Sequence, residues 1–133
     1  MTWEIRTDIW ADSESGAEVK FTAWWTGVGN PEEADLIVVD LTKLKPVPHV
    51  VRIDSILYSA TSGVEGVLAW HEPSGARVPI AALAGRGRMD KTKFQDDKKG
   101  STSGNIEVLL QPLQGRGNFE MFTVQLELTK QGA

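Results

Sequence analysis

The residues best suited to chemistry in this chain are few and scattered. His49 and His71 are the two imidazoles among 133 residues, and cysteine is absent, which removes thiolate ligands, cysteine nucleophiles and disulfides together. A zinc or non-haem iron centre needs several His and carboxylate ligands converging from facing strands. His71 stands beside Glu72 at the end of an apolar run, where consecutive strand residues point to opposite faces. His49 follows the proline-rich turn Lys45-Pro-Val-Pro48. Neither histidine has the company a metal requires. The acidic residues fall mostly in turns or at outward strand positions, where solubility accounts for them, so two carboxyls facing across a glycosidic bond are not expected.

Gly85-Arg-Gly-Arg88 and Gly115-Arg-Gly117 look like fragments of phosphate-cradling loops. Neither continues into Gly-Lys-Ser/Thr or joins a strand to a helix, and a tight turn carrying a solvated arginine explains each. The nucleophile elbow Gly-x-Ser-x-Gly does not occur. The expectation is a protein without enzymatic activity, metal or cofactor. What remains is aromatic: five tryptophans, Trp3, Trp10, Trp24, Trp25 and Trp70. An exposed indole offers a large apolar area and one donor, which suits protein contacts or sugar stacking. The other reading places all five in a small core.

The elements that must position these residues are strands. Period-two alternation runs through Trp3–Ile9, Val19–Trp25 and Phe119–Lys130, where Phe122, Val124, Leu126 and Leu128 oppose Thr123, Gln125, Glu127 and Thr129. Leu36–Leu41 is a continuous apolar run expected to be buried on both faces. Val50–Ala60, Gly66–His71, Arg77–Leu83 and Asn105–Gln111 complete about eight short runs separated by Gly, Pro, Asn and Ser breaks. Ile80–Ala84 has helical propensity but is too short to nucleate a helix. The pattern predicts an all-β antiparallel sandwich or barrel, residues 1–133 forming one domain, with Gly85–Gly104 as its longest loop. Trp24 and Trp25, being adjacent on one strand, must face opposite sides.

Charge is unevenly spread. Residues 1–40 carry nine acids against Arg6 and Lys20, a net −7, which leaves +3 of the overall −4 for the remainder, around Arg86, Arg88, Lys91, Lys93, Lys98 and Lys99. Such polarity either orients copies and partners or is a plain solvated surface. A modest negative charge argues against general nucleic-acid binding. No apolar stretch approaches the ~20 residues of a membrane-spanning helix, and the opening residues lack the pattern of a secretory signal.

Several segments between Arg52 and Lys130 resemble a known group. These are Ile53-Asp-Ser-Ile-Leu-Tyr-Ser59, Val67-Leu-Ala-Trp70, Ile80 to Gly85-Arg-Gly-Arg-Met-Asp90, Ser103-Gly-Asn-Ile-Glu-Val-Leu109 and Phe122–Lys130. Together they look like the small jelly-roll decoration, or cement, proteins of tailed-bacteriophage capsids. The group's pattern would have Trp-Asp where this chain has Trp70-His71, and Gly-Asp-Ile where it has Gly104-Asn105-Ile106. The resemblance implies a jelly-roll sandwich that binds the capsid exterior and bridges major capsid protein subunits. It also implies a homo-oligomer, a dimer or trimer, made in the host bacterial cytoplasm, with neither nucleic acid nor membrane as partner. Within that role the Trp-rich segment 1–30 is expected to make shell or intersubunit contacts. Trp3, Trp10 and Trp24 are the expected anchors, with Arg86, Arg88, Lys91 and Lys93 as a basic loop facing an acidic partner. The alternative is a carbohydrate-binding sandwich of a phage tail or cell-surface protein, with Trp24 or Trp25 stacked on sugar and Thr22 and Thr26 as its polar company.

Overall fold

In the computed structural model, which describes residues 3–26, 31–48, 50–72, 74–90, 104–113 and 119–131, the alternating runs become nine strands. They are β1 (Glu4–Asp12), β2 (Gly16–Thr26), β3 (Ala34–Val39), β4 (Val50–Ala60), β5 (Val64–His71), β6 (Arg77–Leu83), β7 (Arg86–Asp90), β8 (Asn105–Pro112) and β9 (Phe119–Gln131). A 3-10 turn, Leu41–Lys43, follows β3.

The strands form two antiparallel sheets, one ordered β1-β2-β9-β4-β7 and the other β3-β8-β5-β6. Without β1, the orders 2-9-4-7 and 3-8-5-6 are those of a jelly roll, in which the chain crosses repeatedly from one sheet to the other. The connections that stay within a sheet are the hairpins β1–β2 and β5–β6. The expected all-β jelly-roll sandwich is therefore what the chain forms, with β1 added at an edge.

The core lies between the sheets and follows from the alternation. β2 turns Ala17, Val19, Phe21, Ala23 and Trp25 inward, and β9 turns Phe122, Val124, Leu126 and Leu128 inward, each no more than 4% exposed. The facing sheet contributes Leu68, Trp70, Ile106, Val108, Leu110 and Leu83. Burial of each large side chain stabilises the fold by roughly 1.5–3 kcal/mol. Gly66 on β5 leaves room for the Phe122 ring, since a Cβ there would stand 3.0 Å from Phe122 Cε1 and 2.9 Å from Val108 Cγ2.

Two expectations are corrected. Leu36–Leu41 is not buried on both faces: β3 is an edge strand, and Ile37 is 46% exposed on the outside. The start of the supposed loop Gly85–Gly104 is a strand, β7, paired with the edge of β4 from Ser55↔Asp90 to Ser59↔Arg86. Its alternation is disguised because the inward positions are Gly87 and Met89. Gly85 makes the turn into it at φ +69°, and Gly87 lies where a Cβ would meet the Tyr58 hydroxyl at 2.9 Å.

The motif Gly104-Asn105-Ile106 also has a structural account. A Cβ on Gly104 would lie 1.9 Å from the His71 carbonyl oxygen, so only glycine passes. Asn105 Oδ1 accepts the Leu41 N–H at 3.1 Å and ties the 3-10 turn to β8.

Candidate functional site

The outer face of the five-stranded sheet is built from the positions that alternate with the core. Register places Arg6, Thr22, Thr123, Ser59 and Arg86 in one row across the five strands. The next row holds Asp8, Lys20, Gln125, Leu57 and Arg88. At ~4.8 Å per strand the rows span about 19 Å. Lys20, Leu57, Ser59, Arg86, Arg88 and Gln125 line a shallow groove of about 640 Å³ toward β7.

Each end of this face has a distinct character. In one corner Trp24 is paired in register with Met121, and Phe119 lies two residues before Met121 on β9. Met121 is 36% and Phe119 50% exposed, and Trp24 is half-buried. Across the sheet, β7 presents Arg86 and Arg88, the latter 3.6 Å from Glu127. On β1, Trp10 is 54% exposed and the Lys20 ammonium stands 5.6 Å from its ring centroid, a cation–π contact.

Of the residues expected to make contacts, Trp10, Trp24, Arg86 and Arg88 thus share one face. Trp3 does not. It is 8% exposed, its Nε1–H donates to the Glu32 carbonyl at 2.7 Å, and its ring meets Trp25 edge-on at 5.8 Å. Its parity with Ile5 and Ile9 was the signal that it faces inward. Lys91 and Lys93 lie outside the described residues, as does His49. Met121, Phe119, Leu57 and Gln125 were not singled out from sequence. Met121 and Phe119 sit at outward positions of β9, whose outer face is otherwise polar, which is the mark that could have found them.

The outer face of the four-stranded sheet holds a separate polar cluster. His71 Nδ1–H donates to Glu107 Oε2 at 2.5 Å, Arg77 Nε lies 3.4 Å from Glu107 Oε1, and the Arg77 guanidinium pairs with Asp35. Burial raises the Asp35 carboxyl above the usual aspartate range and the Glu107 charge adds to this, while Arg77 opposes both. Among the described residues no group of three or more His, Cys, Asp or Glu is placed to hold a metal ion.

No family model matches the chain, and no curated protein matches it. A solved structure that aligns with it is the solution structure of CtCBM11, a carbohydrate-binding module, at 11% identity over 100% of this chain and 85% of that one, with a TM-score of 0.28. A likeness at that level carries no argument about function.

Proposed function

We propose that this chain is a decoration protein of a tailed-bacteriophage capsid, which docks on the shell exterior and braces neighbouring major capsid protein subunits. The observation that carries this reading is the outer face of the five-stranded sheet. There the Trp24–Met121–Phe119 corner and the Arg86/Arg88 rim lie on one rigid surface, about 19 Å wide by strand count. Its apolar corner supplies adhesive area, and its basic rim orients the chain on an acidic shell. A contact this small is weak alone, and it becomes effective when several copies engage a repeating lattice. The jelly-roll topology agrees with the fold implied by the sequence resemblance.

The test is co-sedimentation of the purified protein with empty shells assembled from the major capsid protein encoded nearest to it. Saturable binding at a fixed ratio to shell subunits, weakened by Trp24→Ala, is the expected result. Absence of binding to expanded shells refutes the reading.

One observation favours a second reading, carbohydrate binding. Thr22, Thr123 and Ser59 set hydroxyls in the row next to Trp24 on the same open face, the surroundings that a sugar stacked on an indole requires. Titration with oligosaccharides that quenches tryptophan fluorescence in the wild type but not in Trp24→Ala would support it.

A further inference from the structure

The edge of the five-stranded sheet carries its own recognition pattern, independent of whatever the outer face binds. β1 has β2 on one side and no described strand on the other. Its inward-facing residues are Ile5, Thr7 and Ile9, as the pairs Ile5↔Ala23, Thr7↔Phe21 and Ile9↔Val19 require. Ile5 is nevertheless 48% and Ile9 39% exposed. The cause is geometric: the facing sheet ends at β3, so β1 overhangs it. Thr7 and Ile9 line a cleft of about 400 Å³ together with Val19, Val38 and Leu44. Outward, the same strand presents Glu4, Arg6 and Asp8, with Arg6 and Asp8 bridged at 3.1 Å.

We propose that two copies of this chain join edge to edge through β1, antiparallel about a two-fold axis at Thr7, so that two five-stranded sheets become one continuous sheet. In this register Arg6 of each copy lies opposite Asp8 of the other, Ile5 opposite Ile9, and Thr7 opposite Thr7. Both cross-strand ion pairs are attractive, both apolar pairs match, and threonine pairs with threonine. Each contact occurs twice, as closed two-fold symmetry demands.

Neighbouring symmetric registers that keep both bodies on the same face of the joined sheet are worse. Centring the pair on Arg6 sets Arg6 against Arg6 and Glu4 against Asp8, while centring it on Asp8 sets Asp8 against Asp8. Centring on Ile5 reduces the overlap to Glu4–Arg6. Centring on Ile9 runs into the bulge between Ile9 and Ala11, which disrupts the ladder. Charges on an edge strand ordinarily deter pairing. Here their order selects one partner and one register. In that arrangement Ile5 of the second copy adjoins Ile9 at the mouth of the apolar cleft, where it covers surface that one copy leaves open.

The pairing is short, well below a standard interface, so a weak dimer is expected in solution. Sedimentation velocity over a concentration series should give a reversible monomer–dimer equilibrium. Arg6→Asp places like charges across the axis twice and should weaken it tenfold or more, and the exchange Arg6→Asp with Asp8→Arg should restore it. The Arg6 side chain is 71% exposed, so the urea midpoint of the single variant serves as the folding control. With no native cysteine, Thr7→Cys should cross-link two copies on oxidation, whereas Glu4→Cys, remote from its own mate in this register, should not. A monomer at every concentration up to about 1 mM, a dimer indifferent to Arg6→Asp, or equal cross-linking by both cysteine variants overturns the proposal.

Discussion

The Lys130 ammonium lies 2.6 Å from Asp12 Oδ1, a contact between residues 118 positions apart. Lys130 also donates to the Pro46 carbonyl at 3.0 Å, and Asp12 Oδ2 accepts the Lys45 N–H at 2.8 Å. One carboxylate thereby fastens the end of β1, the end of β9 and the segment leading into β4. The two partners differ in exposure: the Lys130 side chain is 3% accessible and that of Asp12 is 20%.

That difference makes the pair asymmetric under mutation. Asp12→Ala leaves an ammonium without its counter-charge in a dry site and should cost about 3 kcal/mol. Lys130→Met fills the same volume and leaves a carboxylate that water reaches, so its cost should be nearer ~1–2 kcal/mol. Urea unfolding of both variants measures the difference. Equal losses would mean that the Asp12 carboxylate suffers as much from losing its partner as the buried ammonium does, so that the difference in exposure is immaterial.

Gly104→Ala should destabilise the chain by about 2 kcal/mol or more, because the clashing atoms are backbone and cannot rotate aside. A Cβ there meets the His71 oxygen at 1.9 Å and the Glu72 Cα at 2.9 Å. Gly75, at φ +96° with nothing within 4 Å, offers a comparison in which strain acts without collision. Gly75→Ala should cost about 1 kcal/mol. Thermal unfolding of the two proteins side by side tests the order.

The Asp35–Arg77–Glu107–His71 cluster should give Arg77→Met a pH-dependent penalty. An acid whose folded pKa is raised stabilises the fold most below the ordinary aspartate value of ~3.9 and loses that advantage as pH rises through its own pKa. Asp35 is such a group, held up by burial and by Glu107, and Arg77 limits the rise. Without Arg77 the rise is larger, so the variant should lose on the order of 1 kcal/mol at pH 7.5 and clearly less at pH 4. A loss independent of pH would show that the guanidinium serves only as packing.

The two adjacent tryptophans should separate folding from binding. Trp25 is 3% exposed, and Trp25→Ala should cost about 3–5 kcal/mol of stability. Trp24→Ala, on the outer face, should cost no more than about 1 kcal/mol while reducing attachment to shells tenfold or more. Co-sedimentation and urea unfolding of both variants give the comparison. A Trp24→Ala protein that unfolds as readily as Trp25→Ala would place Trp24 among the structural residues.

The alternation made most of this architecture legible. Val19, Phe21, Ala23 and Trp25 stand on one parity of β2, so which neighbouring tryptophan enters the core could be read directly. Trp3 shares the parity of Ile5 and Ile9, and it is buried as that parity implies. The isoleucines are exposed for a reason no local pattern holds, namely where the opposite sheet stops. β7 was hidden because a strand whose core positions are Gly87 and Met89 has little apolar contrast, and its place is set by the β4 edge. The outer-face rows depend on register between strands far apart in sequence, so Trp24 and Met121 became neighbours only in three dimensions.

β9, the ninth of the described strands in chain order, occupies the middle of its sheet, with β2 and β4 on its two flanks. On the ribosome, the earlier strands of that sheet therefore lack the partner that joins them until residue 131 has cleared the exit tunnel. Native closure of this sheet thus waits for the ninth strand. During that interval the edges of β2 and β4 that β9 will join stand unpaired, the condition in which strands take wrong partners.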